Sequence, residues 1–223
     1  MKTTKKNKLI KLLVLFSAYS ISLVIFRIWF TQSLYYTFLI WNLFLAYIPY
    51  LISCFVKNIE LGRFKFLLLT TIWLLFLPNA PYIITDIFHL SKQTAAPIWF
   101  DLLLVFSFAI NGIILFFIST YEMHKIILEK TSKRIAWTIS TIIMFLSGFG
   151  IYLGRFLRFN SWDIISSPKT VFVDILDRFI NPIAHPKTWG VTLGFGLFLF
   201  FGFLFLNTLA PNHDSISKNQ YDK

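Results

Sequence analysis

Six stretches of roughly twenty apolar residues constrain this chain more than any other feature, because that is about the length an α-helix needs to cross the hydrocarbon core of a bilayer. They run near residues 9–30, 34–56, 64–85, 98–120, 135–154 and 189–209. Lipid offers no hydrogen bonds, so a spanning segment must satisfy its own backbone and each stretch reads as a helix. The expected fold class is therefore all-α, a polytopic membrane helix bundle of about six transmembrane helices. Composition agrees, with 57% hydrophobic residues and 27 Phe among 223. A net charge of +11 would by itself suggest a nucleic-acid partner. Soluble nucleic-acid binders do not carry such runs, so nucleic acid is set aside and membrane lipids are the expected partners. Cys54 is the single cysteine, which excludes a disulfide within the chain.

Residues 1–210 read as one integral membrane domain, and 211–223, rich in Asn, Ser, Asp and Lys, as a short polar cytoplasmic tail. The first run follows Lys2, Lys5, Lys6 and Lys8 in the manner of a signal peptide. It is too long for one and lacks a small-residue cleavage site, so it reads as a retained helix. Starting the chain inside places 14 basic residues in the cytoplasm and seven outside, and the positive-inside rule favours that arrangement. Both termini are then cytoplasmic.

The third span is interrupted. In Leu77-Pro78-Asn79-Ala80-Pro81, Pro78 has no amide for the carbonyl of Leu74 and Pro81 has none for that of Leu77. The helix is expected to break at Pro78/Pro81, with Asn79 placed to satisfy the opened backbone, either as a repaired kink or as the lining of a site. Asp86 and His89 follow three apart, on one face if the helix resumes. They are weak metal candidates, with His185 as a distant third ligand, or else a hydrogen-bonded interfacial pair.

Other polar outliers reach the same side. Asp101 opens the fourth span, where a carboxylate suits the positive end of the helix dipole. Asn111 lies about 15 Å deeper and is expected to hydrogen-bond another helix. Arg155, Arg158 and Asp163 follow the fifth span, the two arginines sharing a face if the helix continues. Guanidinium groups there could pair with Asp86, Asp101 or Asp163, meet lipid headgroups, or clamp a phosphate or carboxylate. Gly150 and Gly154, like Gly190 and Gly194, have the spacing that lets helices approach closely. On the inner side Glu122, His124 and Glu129 read as a solvated loop face.

The outer 155–188 connection contains an amphipathic pattern. Ser167-Pro168 is a helix start, Val171, Ile175 and Phe179, with Phe172 as a further member, can share an apolar face, and Asn181-Pro182 is a stop. The helix either lies on the leaflet or caps the bundle, or it acts as a lid over a site.

Leu77–Leu90, the following PIWFDLLLVFSFAINGIIL and GFGIYLGRFLRFNSWDI resemble a family of bacterial membrane proteins catalogued as domain of unknown function 1361, over roughly Phe64 to Leu209. The resemblance implies a multi-pass protein of the bacterial plasma membrane and brings no activity, cofactor or catalytic residue with it. Three readings follow from the residues. In the first, Asn79, Asp86, His89, Asp101, Arg155, Arg158 and Asp163 belong to a polar outer pocket for a small molecule, an ion or an anionic lipid, in a binding or transport protein. In the second, a membrane enzyme acts on a lipid-linked or phosphate-bearing substrate with Asp86 or His89 as acid/base, although the residues identify neither a nucleophile nor a metal. In the third, the cluster is an ion-pair network in a non-catalytic accessory subunit.

Overall fold

The computed structural model describes residues 2–59, 62–90 and 95–209, with side chains from residue 7 onward. The polar tail expected at 211–223 lies outside the described residues. Among those residues there is helix and no strand. The first two spans are α1 (Lys2–Thr31) and α2 (Phe38–Asn58). The third is composite: α3 (Arg63–Phe76), a single turn α4 (Asn79–Tyr82) and a 3₁₀ segment, Ile83–His89. Then come α5 (Ile98–Lys130) and α6 (Lys133–Phe156), the short α7 (Asp163–Ser166), α8 (Pro168–Ile180) and α9 (Pro186–Leu209). Six of these units are long and apolar enough to cross a membrane, the chain being an integral multi-pass membrane protein.

The break in the third span has the expected cause. Trp73 still receives the amide of Leu77 at 2.9 Å, and the Ala80 amide turns back to Leu77 at 3.2 Å. That leaves the carbonyls of Leu74, Leu75 and Phe76 without a helical amide. Asn79 Nδ2 donates to Phe76 O at 2.9 Å, and Ser161 Oγ donates to Leu75 O at 3.1 Å. The carbonyls of Leu75 and Phe76 are thus satisfied by protein, as hydrocarbon surroundings favour.

α5 is the central post. It packs against α1, α2, α4, the 3₁₀ segment, α6 and α9, and 56% of its most apolar window is buried, against 17% for α1. The exposed remainder of the spans is a belt of large apolar side chains such as Leu15, Trp29, Phe64 and Phe205. In a bilayer those meet acyl chains at no cost.

Three expectations are corrected. The fourth span does not end near Thr120: α5 continues to Lys130, so Glu122, His124 and Glu129 are helical. His124 is buried between the rings of Trp137 and Phe203 and bonded to Ser140 Oγ at 2.8 Å, while Glu122 pairs with Lys57. Gly190 and Gly194 mediate no close approach, because a Cβ on either would meet nothing within 4 Å. The close crossing of α6 with α9 uses other glycines: a Cβ on Gly148 would lie 2.6 Å from Thr192 O, and one on Gly196 2.5 Å from the Phe145 ring. Ser167 precedes α8 without making a side-chain cap, so Pro168 at the first turn is the part of that start signal that operates.

Candidate functional site

The connections 31–38, 77–90, 95–98 and 157–186 lie at one end of the bundle, where two carboxylates are buried. Asp101, in the first turn of α5, receives Arg27 Nε at 2.7 Å and Arg27 Nη2 at 3.3 Å. The guanidinium carbon sits 4.5 Å from the centre of the Tyr36 ring. Arg27 and Asp101 are 3% and 1% exposed, a forked pair in a closed setting where both charges keep their partners.

Asp86 is equally buried but divided among several donors. Asn42 Nδ2 reaches Asp86 Oδ2 at 2.9 Å, and Arg155 Nη1 reaches Oδ1 at 3.2 Å. His89 Nε2 is 3.9 Å from Oδ1 and 3.3 Å from Arg155 Nη1, while Tyr35 OH is 3.3 Å from His89 Nδ1. The 3₁₀ segment keeps Asp86 and His89 three apart on one side, and the last turn of α6 delivers Arg155 to them. Asp86, His89 and Arg155 therefore converge. Asp101 belongs to the other pair, linked to this cluster through the Tyr35 and Tyr36 rings, whose centres are 4.9 Å apart.

The remaining candidates go elsewhere. α6 ends at Phe156, and Arg158 adopts a left-handed φ of 61° while the Phe159 amide returns to Leu153 O at 3.2 Å. Arg158 is consequently exposed and leaves the face that carries Arg155. Asp163 turns inward on its own loop, accepting the Asn160 amide at 2.7 Å and Ser166 Oγ at 3.1 Å. That backbone donor holds the Asp163 carboxyl below the usual carboxylate range. His185 pairs with Asp177 Oδ2 at 2.7 Å rather than approaching Asp86 and His89. Among the described residues no three His, Cys, Asp or Glu side chains come together as a metal-binding group.

Beside the Asp86 cluster lies a cavity of about 510 Å³ between α2, α3, α4, α6 and α8. Its wall is chiefly apolar. Pro78 and Gly150 form one side in direct contact, since a Cβ on Gly150 would stand 2.5 Å from Pro78 Cγ. Gly154 gives similar room to the Tyr82 ring. α8 roofs the cavity with Val171, Ile175 and Phe179, whereas Phe172, expected on the same apolar face, is 62% exposed and does not line it. Polar wall positions are Asn42, Thr71, Asn79, Asn160 and Ser161. Of the seven candidates from the sequence only Asn79 lines this cavity, and Asp86 stands behind Asn42.

The residues missed by sequence reasoning are Arg27, Tyr35, Asn42 and Ser161. A lone amide inside an apolar span was a signal for Asn42, of the same kind that drew notice to Asn111. That amide itself is bonded across helices, its Oδ1 accepting from Ser17 Oγ at 3.5 Å. A serine in a polar loop gives no signal that it will reach back to Leu75.

An apolar cavity with a few convergent amides, inside a six-span bundle whose third helix is broken, defines a membrane protein with a small-molecule-sized site. The family model described as a protein of unknown function, DUF1361, matches residues 41–201, and the chain belongs to that family. The match begins well before Phe64 and so takes in α2 with Asn42. Searches of curated proteins and of solved structures return no match for the chain.

Proposed function

We propose that this protein binds a lipid-like molecule in the cavity beneath α8. The observation that carries the reading is α8 itself, apolar on two faces. Val171, Ile175 and Phe179 close the cavity, while Phe172, Val173 and Ile180 are 62%, 63% and 71% exposed. A helix tied at both ends to membrane spans and apolar on its free face suits the bilayer interface. A molecule can then pass sideways from the leaflet into the cavity without entering water. Binding or transport of such a molecule fits this better than acid/base chemistry, because Asp86, His89 and Arg155 already engage one another. The charge bias supports an outer-leaflet position for the cavity with both termini cytoplasmic, and the reading takes residues 1–210 as a single domain in a bacterial plasma membrane.

The test is lipid retained through purification in mild detergent. Extraction and mass spectrometry are expected to find a lipid enriched on the native protein over the surrounding extract, and to find it reduced on Ile175→Trp, whose larger ring would project into the cavity. Equal lipid on both proteins at unchanged thermal stability would remove the reading.

A further inference from the structure

The end of the bundle opposite the cavity carries positive charge that the protein does not neutralise. Five basic residues stand there at three helix ends: Arg63 and Lys65 open α3, Lys130 closes α5, and Lys133 and Arg134 open α6. Lys130 Nζ lies 5.2 Å from the centre of the Phe66 ring, a contact that brings the start of α3 to the α5–α6 turn. All five are exposed, and none forms an ion pair among the described residues. Of the acids at this end, Glu122 is taken by Lys57, Glu129 makes no ion pair, and Glu60 lies outside the described residues. Neither α3 nor α6 has an acid in its first turn, and no side chain caps the opening amides of α3.

Such a patch attracts polyanions in general, and the apolar surface beside it selects among them. Phe64, set between Arg63 and Lys65, is 79% exposed. Leu67 and Leu68 one turn further along α3, and Ile135 next to Arg134, are exposed as well. These side chains begin two of the spans, so the five cations stand at the edge of the hydrocarbon, at the depth of lipid phosphates. Long basic side chains suit that position, with their stems along the apolar layer and their charged heads among the headgroups. A nucleic acid or an acidic peptide would meet the charges and leave Phe64, Leu67 and Ile135 uncovered.

We infer that this patch is a binding site for an anionic phospholipid, its phosphate held by the α3 and α6 cations and its chains laid on Phe64, Leu67 and Ile135. The site is separate from the cavity and stands whether or not the cavity holds a lipid.

Native mass spectrometry of the full-length protein in mild detergent tests this, with equal amounts of dioleoylphosphatidylglycerol and dioleoylphosphatidylcholine added. The two lipids share their chains and differ in the net charge of the head. The native protein is expected to bind phosphatidylglycerol at least about fivefold more tightly, the scale of one basic residue beside an anionic surface. Arg63→Gln/Lys65→Gln/Lys133→Gln/Arg134→Gln should lose that preference at unchanged thermal stability. Lys8→Gln/Lys11→Gln/Lys169→Gln/Lys187→Gln removes the same charge elsewhere and should keep it. Should the first of these variants not fold, Arg63→Gln/Lys65→Gln or Lys133→Gln/Arg134→Gln alone is expected to lose part of the preference. No preference in the native protein, an undiminished preference in a folded patch variant, or an equal loss in the second set of substitutions would overturn the inference. Lipid in the cavity is common to all these proteins, and its loss from Ile175→Trp bears on the cavity alone.

Discussion

Asp101 and Asp86 are the same residue type, at the same end of the bundle and each 1% exposed, yet their surroundings differ. Asp101 has one dedicated partner, Arg27, which holds both carboxylate oxygens and is roofed by Tyr36. Asp86 is shared by Asn42, Arg155 and the nearby His89, drawn from three different spans, and one of those partners is also cavity wall. A buried charge therefore does not mark a site on its own account. The Arg27–Asp101 pair pins α1 to α5, whereas the Asp86 cluster ties the broken third span to α2 and α6 beside the cavity.

The comparison predicts unequal costs. Arg27→Leu strands a buried carboxylate without its counter-charge and should lose about 3–5 kcal/mol of stability, read by thermal unfolding in detergent. The double variant Arg27→Leu/Asp101→Leu should recover much of that, since neither charge is then left alone. Arg155→Leu should cost less, about 1.5–3 kcal/mol, because Asn42 still donates to Asp86. An equal loss at Arg155 would break the distinction between the two acids. Third in size, Asn79→Ala should cost about 1–2 kcal/mol by uncovering the Phe76 carbonyl, and should reduce lipid retention through the altered cavity wall. If stability falls and retention does not, Asn79 serves the break alone.

The smallest effect lies outside the membrane. Asp163 titrates below the usual carboxylate range in the folded loop, chiefly because the Asn160 amide donates to it. A depressed folded pKa adds stability that is complete above the unfolded value, near 4, and is lost as pH falls through the folded value. Acidification below about pH 4 should therefore loosen the α7 turn in native protein, followed by Trp162 fluorescence, and the dependence should be absent in Asp163→Asn. A shift of the same size in both would assign the acid sensitivity to another group.

Much of the architecture was legible because lipid is a strict solvent. It demands closed backbone hydrogen bonding and about twenty apolar residues per crossing, so the six spans were visible as hydropathy alone, and Pro78 and Pro81 as a break. The α8 face was legible for a related reason: a one-sided apolar pattern at helical spacing has few other solutions. The end of α5 was not, because Glu122 and His124 look solvated in one dimension and are covered only when Lys57, Trp137 and Phe203 arrive from elsewhere in the chain. Gly190 and Gly194 carried a packing pattern with no helix opposite it.

By itself, then, the sequence determined that this chain is a membrane helix bundle, that its third span breaks, and which side chains are too polar to lie idle in lipid. Only the tertiary structure decided who meets whom: Arg27 with Asp101, Arg155 and Asn42 with Asp86, Ser161 with the carbonyl that the break opened. Span length and hydropathy are local quantities, fixed by the transfer of each segment from water to hydrocarbon. A hydrogen bond between α2, the broken span and α6 depends on the rotation of three helices about their axes, which packing at Gly112, Gly148 and Gly150 sets and which no single segment encodes.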